Sequence, residues 1–147
     1  MKRFVAALLI AAAAPLVTAQ AQAQATPAGL WKTIDDETKA EKSLVRITDN
    51  GGVFSGKVEK ITDPAKQDEK CDKCSDERKD KPILGMAIIQ GVTKNASEPY
   101  WDGGTILDPN NGKIYKVRLT PKDGGKTMEV RGFIAFLFRN QTWIRVE

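Results

Sequence analysis

"DPNNGKIYKVRLTPKDGGK", residues Asp108 to Lys126, decides the fold. Its centre alternates, with Tyr115, Val117 and Leu119 on one face of an extended chain and Lys116, Arg118 and Thr120 on the other. Successive side chains of a strand point to opposite faces, so this pattern predicts a strand with one face in a core. Both ends are turn signals. Pro109 and Asn111-Gly112 set the first, because proline fixes its own φ and Asn-Gly accepts a positive φ. Asp123-Gly124-Gly125, after Pro121, sets the second. A strand held between two tight turns pairs antiparallel with both of its chain neighbours.

The same grammar extends outward in both directions. Gly29 to Ile34 and Ser43 to Thr48 are β-type runs, and Asp49-Asn50-Gly51-Gly52 turns the second into Val53 to Ile61. Pro82 to Gly91 is the most continuously apolar run and is predicted as a buried strand. Trp101 to Leu107 precedes the opening stretch; Thr127 to Phe138 and Gln141 to Val146 follow it, leaving Arg139-Asn140 between them. Runs of this length joined by tight turns give an all-β, up-and-down antiparallel meander of about eight strands. Such a meander closes into a small barrel to remove its exposed edges. One long connection interrupts it. Thr62 to Lys81 is highly charged, with a helical turn predicted around Ser75 to Lys79 and Ser75 as its cap. This loop could cover a barrel mouth as a lid or lie free in solvent.

The chain has 147 residues, with 23 Lys+Arg, 19 Asp+Glu, two cysteines and no histidine. Met1-Lys2-Arg3 is a basic start, Phe4 to Val17 is apolar apart from Pro15, and Val17-Thr18-Ala19 opens a small-residue region reaching Ala25. That layout predicts a secretory signal peptide over residues 1–25. Its apolar run of about 14 residues is short of the roughly 20 needed to span a bilayer. No cysteine stands near the cleavage region for lipid attachment. The expected product is a periplasmic or secreted protein that does not span a membrane once processed. Residues 26–147 then form one domain, long enough to bury a core. Loss of Lys2 and Arg3 leaves 21 basic against 19 acidic residues, and no basic cluster is interleaved with aromatics, which argues against nucleic acid.

Cys71-Asp72-Lys73-Cys74 admits three readings: a redox centre, half a metal site or a disulfide. A redox Cys-x-x-Cys needs a helix start to lower one thiol's pKa, usually in a βαβ frame, and hairpin-linked strands do not supply one. Two thiolates fill half of a tetrahedral metal shell, with no histidine to complete it. An oxidising compartment favours an intrachain disulfide between Cys71 and Cys74. Closing a four-residue ring contributes roughly 2 kcal/mol.

Gly29-Leu30-Trp31 in the first strand and Trp143-Ile144-Arg145 in the last resemble the signature of lipocalin-type (calycin) barrels. The resemblance implies that Trp31 plugs the closed end beneath the Arg145 guanidinium. A wider resemblance is carried by "GLWKT", "CDKC…KPILGM", "WDGGTILDPNNGKIYKVRLT" and "MEVRGFIAFLFRNQTWIRV". These are similar to an exported bacterial family, domain of unknown function 2147, and imply a small lipocalin-like barrel. The chain departs from that family's frequent Gly-Arg-Thr before the last tryptophan and reads Phe138-Arg139-Asn140-Gln141-Thr142.

Catalytic chemistry has little to stand on. Most carboxylates occupy turns, where backbone hydrogen bonding accounts for them. Asp102, beside Trp101 and before two glycines, is the best polar candidate for a cavity mouth. Arg131 has the parity of a solvent-facing residue; on the other face it would meet a ligand carboxylate. Barrel cavities are lined by apolar and aromatic side chains with few polar groups. Tyr100, Trp101, Tyr115, Phe133 and Phe136 are therefore the ligand-binding candidates, together with Asp102 and Arg131. The expected function is non-catalytic binding of a small apolar or amphipathic molecule, without a cofactor or metal. The alternatives are a filled barrel that contacts an envelope protein partner, and a Cys-x-x-Cys redox or metal protein.

Overall fold

A computed structural model describes residues 25–147. All of the expected signal peptide but Ala25 lies outside the described residues. The described chain is an eight-stranded barrel in which every strand pairs antiparallel with its neighbours in sequence and the last pairs with the first. The strands are β1 (Gly29–Ile34), β2 (Glu41–Asn50), β3 (Val53–Ile61), β4 (Ala87–Lys94), β5 (Trp101–Asp108), β6 (Lys113–Lys122), β7 (Thr127–Ile134) and β8 (Leu137–Arg145). Up-and-down order puts the β1–β2, β3–β4, β5–β6 and β7–β8 connections at one end. The chain's entry, its exit and the other three turns lie at the opposite end.

That opposite end is plugged. Trp31 is fully buried on β1, opposite Arg145 of β8. Its indole Nε1 donates to the Pro27 carbonyl at 2.7 Å. The Arg145 guanidinium stands 4.2 Å from the indole centroid and donates to the carbonyls of Ala28 and Thr26, each at 2.7 Å, and to that of Gly125. A planar cation suits this place because it can stack on the ring while its N–H fork satisfies several carbonyls in one plane. Gly29 makes room for the arrangement. Its φ is +140°, and a Cβ there would sit 2.5 Å from Arg145 Nη1 and 2.5 Å from the Glu147 carbonyl oxygen.

Above the plug the closed half is solid. Val45, Ile47, Phe54, Ile89, Val92, Val117, Leu119 and Met128 are buried there, and Trp101 meets Phe54 edge-on at 6.2 Å. Tyr115, Val117 and Leu119 do share a face, and Lys116 is exposed on the other.

Three expectations need correction. The fourth strand begins at Ala87 rather than Pro82. Proline has no N–H to donate to a ladder, and Gly85 turns at φ +83°, so residues 82–86 finish the loop instead. The turn between the last two strands lies at Ala135-Phe136 rather than Arg139-Asn140, with Ala135 at φ +52°. Asn140 is a mid-strand residue opposite Arg131. Residues 75–79 form turns rather than a helix, and the cap is Asp76, whose carboxylate accepts from the Arg78 backbone N–H at 2.9 Å.

The long β3–β4 loop is anchored to the barrel through its two cysteines, while most of its other residues are exposed. Cys71 and Cys74 form a disulfide, and both are buried within the main hydrophobic cluster. Residues 69–71 and 81–83 pair at the loop's base, through Cys71 N–H to Lys81 O and Ile83 N–H to Glu69 O, each 2.9 Å. The disulfide turn rests on the β5–β6 turn so closely that a Cβ on Gly112 would lie 1.9 Å from the Lys73 carbonyl oxygen. Arg78 grips Asp76 through its guanidinium and donates to Ala87 O at 3.0 Å, tying the loop to β4.

Two stability measurements follow. Trp31→Ala should destabilise the protein by about 3–5 kcal/mol, read as a fall in urea midpoint, because it removes a fully buried indole. An unchanged midpoint would show that the plug bears no load. Replacing Cys71 and Cys74 by alanine should cost about 2–4 kcal/mol, more than ring closure alone, because the sulfurs are also buried packing atoms. A loss near zero in thermal melts would mean that the loop's packing survives without its strap.

Candidate functional site

The open half of the barrel is hollow. A cavity of about 360 Å³ runs inward from the loop end. Trp143 floors it, with its indole N–H donating to Gln141 Oε1 at 3.0 Å. Val58, Ile61, Ile83, Ile88, Ile106 and Val130 give it apolar walls. Polar groups gather toward the mouth. Thr33 and Ser43 share a 2.8 Å hydrogen bond, and the Tyr115 hydroxyl accepts from Asn111 Nδ2 at 3.0 Å. The volume lies in the range that holds one small organic molecule.

Charge at the mouth is organised by pairing. Arg139 reaches from β8 across to the β1–β2 loop, where Nε donates to Asp36 Oδ2 at 2.6 Å and the guanidinium makes a second contact to the same carboxylate. It also stands 3.5 Å from Asp108 at the end of β5. The hydrogen bond from Arg139 holds the Asp36 carboxyl below the ordinary carboxylate range, and the same bond pushes the guanidinium up. Asp35 is held at about 2, chiefly by backbone and hydroxyl hydrogen bonds from Thr38. Lys42 pairs with Asp35 at 3.6 Å and Lys66 with Glu69 at 3.9 Å. The lining carries five carboxylates, Asp35, Glu41, Asp63, Glu69 and Asp108, against three cations, Lys42, Lys66 and Arg139. Every one of those cations has a carboxylate partner. Among the described residues the lining is therefore polar and slightly acidic, with each of its cations already paired.

The structure disperses the residues that the sequence grouped as one ligand site. Tyr115 lines the cavity. Trp101 points into the barrel but is buried in the solid closed half against Phe54. Asp102 is at the closed end, accepting from Asn95 Nδ2 at 3.2 Å, a bond that braces the β4–β5 connection. Tyr100 lies outside, stacked on Arg118 at 4.1 Å. Arg131 faces outward, as its parity indicated, with Nε donating to Asn140 Oδ1 at 2.7 Å. Phe133 shares that outer face and meets Phe138 at 6.3 Å. Phe136 is on the hairpin tip and 91% exposed. The shared cavity expected for these residues is corrected for all but Tyr115, because barrel end and strand parity sort them apart. Trp143 and Arg139, by contrast, belong to the cavity and were missed as ligand contacts. The sequence signature groups Trp143 with Trp31 in the plug, but as the inward partner of Met128 it floors the cavity instead, and Arg139, expected between strands, is a strand residue that reaches the mouth. Cys71 and Cys74 are spent on each other and buried, so neither offers a thiolate.

No curated protein matches the chain. Among solved structures the barrel is similar to a protein of the human pathogen Helicobacter pylori described as belonging to the lipocalin family. The TM-score is 0.71 at 18% identity, over 84% of this chain and 84% of that one. At that identity the likeness concerns the fold. The family model described as "Uncharacterized protein conserved in bacteria (DUF2147)" matches residues 29–145, from the plug glycine to the plug arginine. The chain belongs to this bacterial family, DUF2147, and its members' sequence pattern is here folded as a lipocalin-like barrel.

Proposed function

We propose that the protein is an exported, non-catalytic carrier of a small amphipathic molecule held in the open half of the barrel. One observation carries this reading: the barrel is solid below Trp143 and hollow above it, with about 360 Å³ of space between apolar walls and a polar rim. Small barrels can be filled completely by side chains, so a hollow half is a property of this sequence rather than of the architecture. The apolar part of the ligand would lie between Val58, Ile106, Val130 and Trp143. Its polar part would meet Thr33, Ser43, Tyr115 and Gln141. The slight acidity of the lining and the pairing of its cations favour a neutral or cationic head group over a carboxylate or phosphate, because an anion would have to displace an existing ion pair. The N-terminal sequence supports export, and a disulfide fits an oxidising compartment. A filled barrel acting only through its surface is less well supported by a hollow of this size.

Titration of tryptophan fluorescence in a Trp31→Phe, Trp101→Phe background, which leaves Trp143 as the reporter, with decyl chains bearing trimethylammonium, glucoside or carboxylate heads tests the reading. The first two should bind and the carboxylate should bind about tenfold more weakly or not at all, one unfavourable pairing at the rim being worth about 1.4 kcal/mol. Val130→Phe on β7 and Ile106→Phe on β5 each fill the cavity from its wall and should each abolish binding while thermal melts stay cooperative. Equal affinity in the filled variants would place the probes elsewhere and sink the proposal. Native mass spectrometry of protein from its own envelope should show a bound small molecule; the bare chain alone would count against the carrier reading.

A further inference from the structure

The β7–β8 hairpin ends in a feature that the cavity does not use. Residues 133–138 read Phe-Ile-Ala-Phe-Leu-Phe, and at the tip Phe136 is 91%, Leu137 61%, Phe138 60% and Ile134 42% exposed. Ile114 on the neighbouring strand adds another 41% exposed side chain. Tips of hairpins are ordinarily polar and rich in turn residues, so four large apolar side chains projecting into water are costly unless something covers them. The turn is only two residues long, with Ala135 at positive φ, so the strands run on to Ile134 and Leu137 and the apolar side chains form a narrow wedge beside the cavity mouth.

The surroundings say what covers it. Behind the wedge the outer face of β6 and β7 carries Lys116, Arg118 and Arg131, with Glu129 as the counter-charge, 3.5 Å from Arg131. Two of the cations lie against the wedge's own aromatics: Arg131 is 4.8 Å from the Phe138 centroid and Arg118 is 5.2 Å from Phe133. Across the rim, Asp36 and Asp108 are taken up by Arg139, which removes much of their repulsion toward an anionic surface. Apolar side chains in front, arginines and a lysine one layer behind, and aromatics between them match the depth profile of a lipid interface. Acyl chains would meet the wedge, and anionic head groups would meet the cations. We propose that the β7–β8 tip docks the barrel obliquely, with the outer face of β6 and β7 toward the lipid and the acidic mouth turned aside, onto an anionic lipid surface by inserting Ile134, Phe136, Leu137 and Phe138 at the head-group boundary. The proposal stands apart from cavity loading, and an empty barrel would dock as well.

Flotation of the natively processed protein with vesicles of phosphatidylethanolamine and phosphatidylglycerol tests it against vesicles of phosphatidylcholine. The protein should float with the anionic vesicles, weakly with phosphatidylcholine, and less at high salt as head-group charges are screened. A Phe136→Ser, Leu137→Ser double variant should lose about tenfold or more of its partitioning, the scale for keeping two large apolar side chains out of lipid. Both residues are exposed, so its melting temperature should stay unchanged. Ile144→Ser, an exposed apolar residue on the same strand toward the closed end, should partition like the parent. Lys116→Glu should weaken binding to anionic vesicles alone. Equal flotation of parent and double variant overturns the proposal. So does a parent that ignores vesicles and runs as a dimer in light scattering while the double variant runs as a monomer, since a second copy would then be what covers the wedge.

Discussion

Arg145 on Trp31 is the contact on which the rest of the barrel depends. A sheet of eight antiparallel strands has two open edges, and each edge is a template for unwanted pairing until they meet. Here the edges meet where Trp31 stands opposite Arg145, and backbone bonds between Leu30 and the last residues, Val146 and Glu147, extend the seam. One guanidinium also collects carbonyls from the entering chain and from the β6–β7 turn. It thereby joins segments more than a hundred residues apart in sequence. Burial pulls the guanidinium's pKa down, but arginine's ordinary value is so high that the cation persists. A lysine could supply the charge but not the planar stack or the fork.

From that fixed end the barrel divides by side-chain volume. The closed half receives two tryptophans, a phenylalanine and a methionine on inward positions, and they fill it. The open half receives Val130, Gly132, Thr33, Ser43 and Ile106 among its lining, and about 360 Å³ is left between the walls. The cavity thus lies above the plug and the packed closed half, between Trp143 at its floor and the loops at its mouth. The β3–β4 loop, held by its disulfide and seated on Gly112, gives the mouth one firm side. The Arg139 bridge gives it another while neutralising the carboxylates it spans.

Much of the architecture was legible residue by residue. Period-two alternation at Tyr115 to Thr120 and the Asn-Gly and Gly-Gly turns act through local rules that hold wherever the segment lies, while the Gly-x-Trp and Trp-x-Arg ends were legible through their resemblance to lipocalin-type barrels. The failures share a cause. Pro82 to Met86 looked like strand because hydrophobicity was counted and the missing proline N–H was not. Arg139-Asn140 looked like a turn because Asn favours turns, whereas Ala135-Phe136 carries no turn chemistry at all.

The aromatic residues mark the boundary of what sequence can say. Composition identified them as candidates for a ligand site, but an aromatic in a strand can be plug, core, cavity floor or outer surface with the same local pattern. The sequence by itself determined most of the strands and their antiparallel order, because these follow from turn chemistry and alternation, and its resemblance to lipocalin-type barrels pointed to the two residues that seal one end. Only the tertiary structure decided that Trp143 floors a cavity, that Trp101 is core, that the two cysteines are buried and that Phe136 meets the surroundings. Those assignments depend on how far each strand is staggered when β8 closes on β1, a constraint set by the whole ring at once.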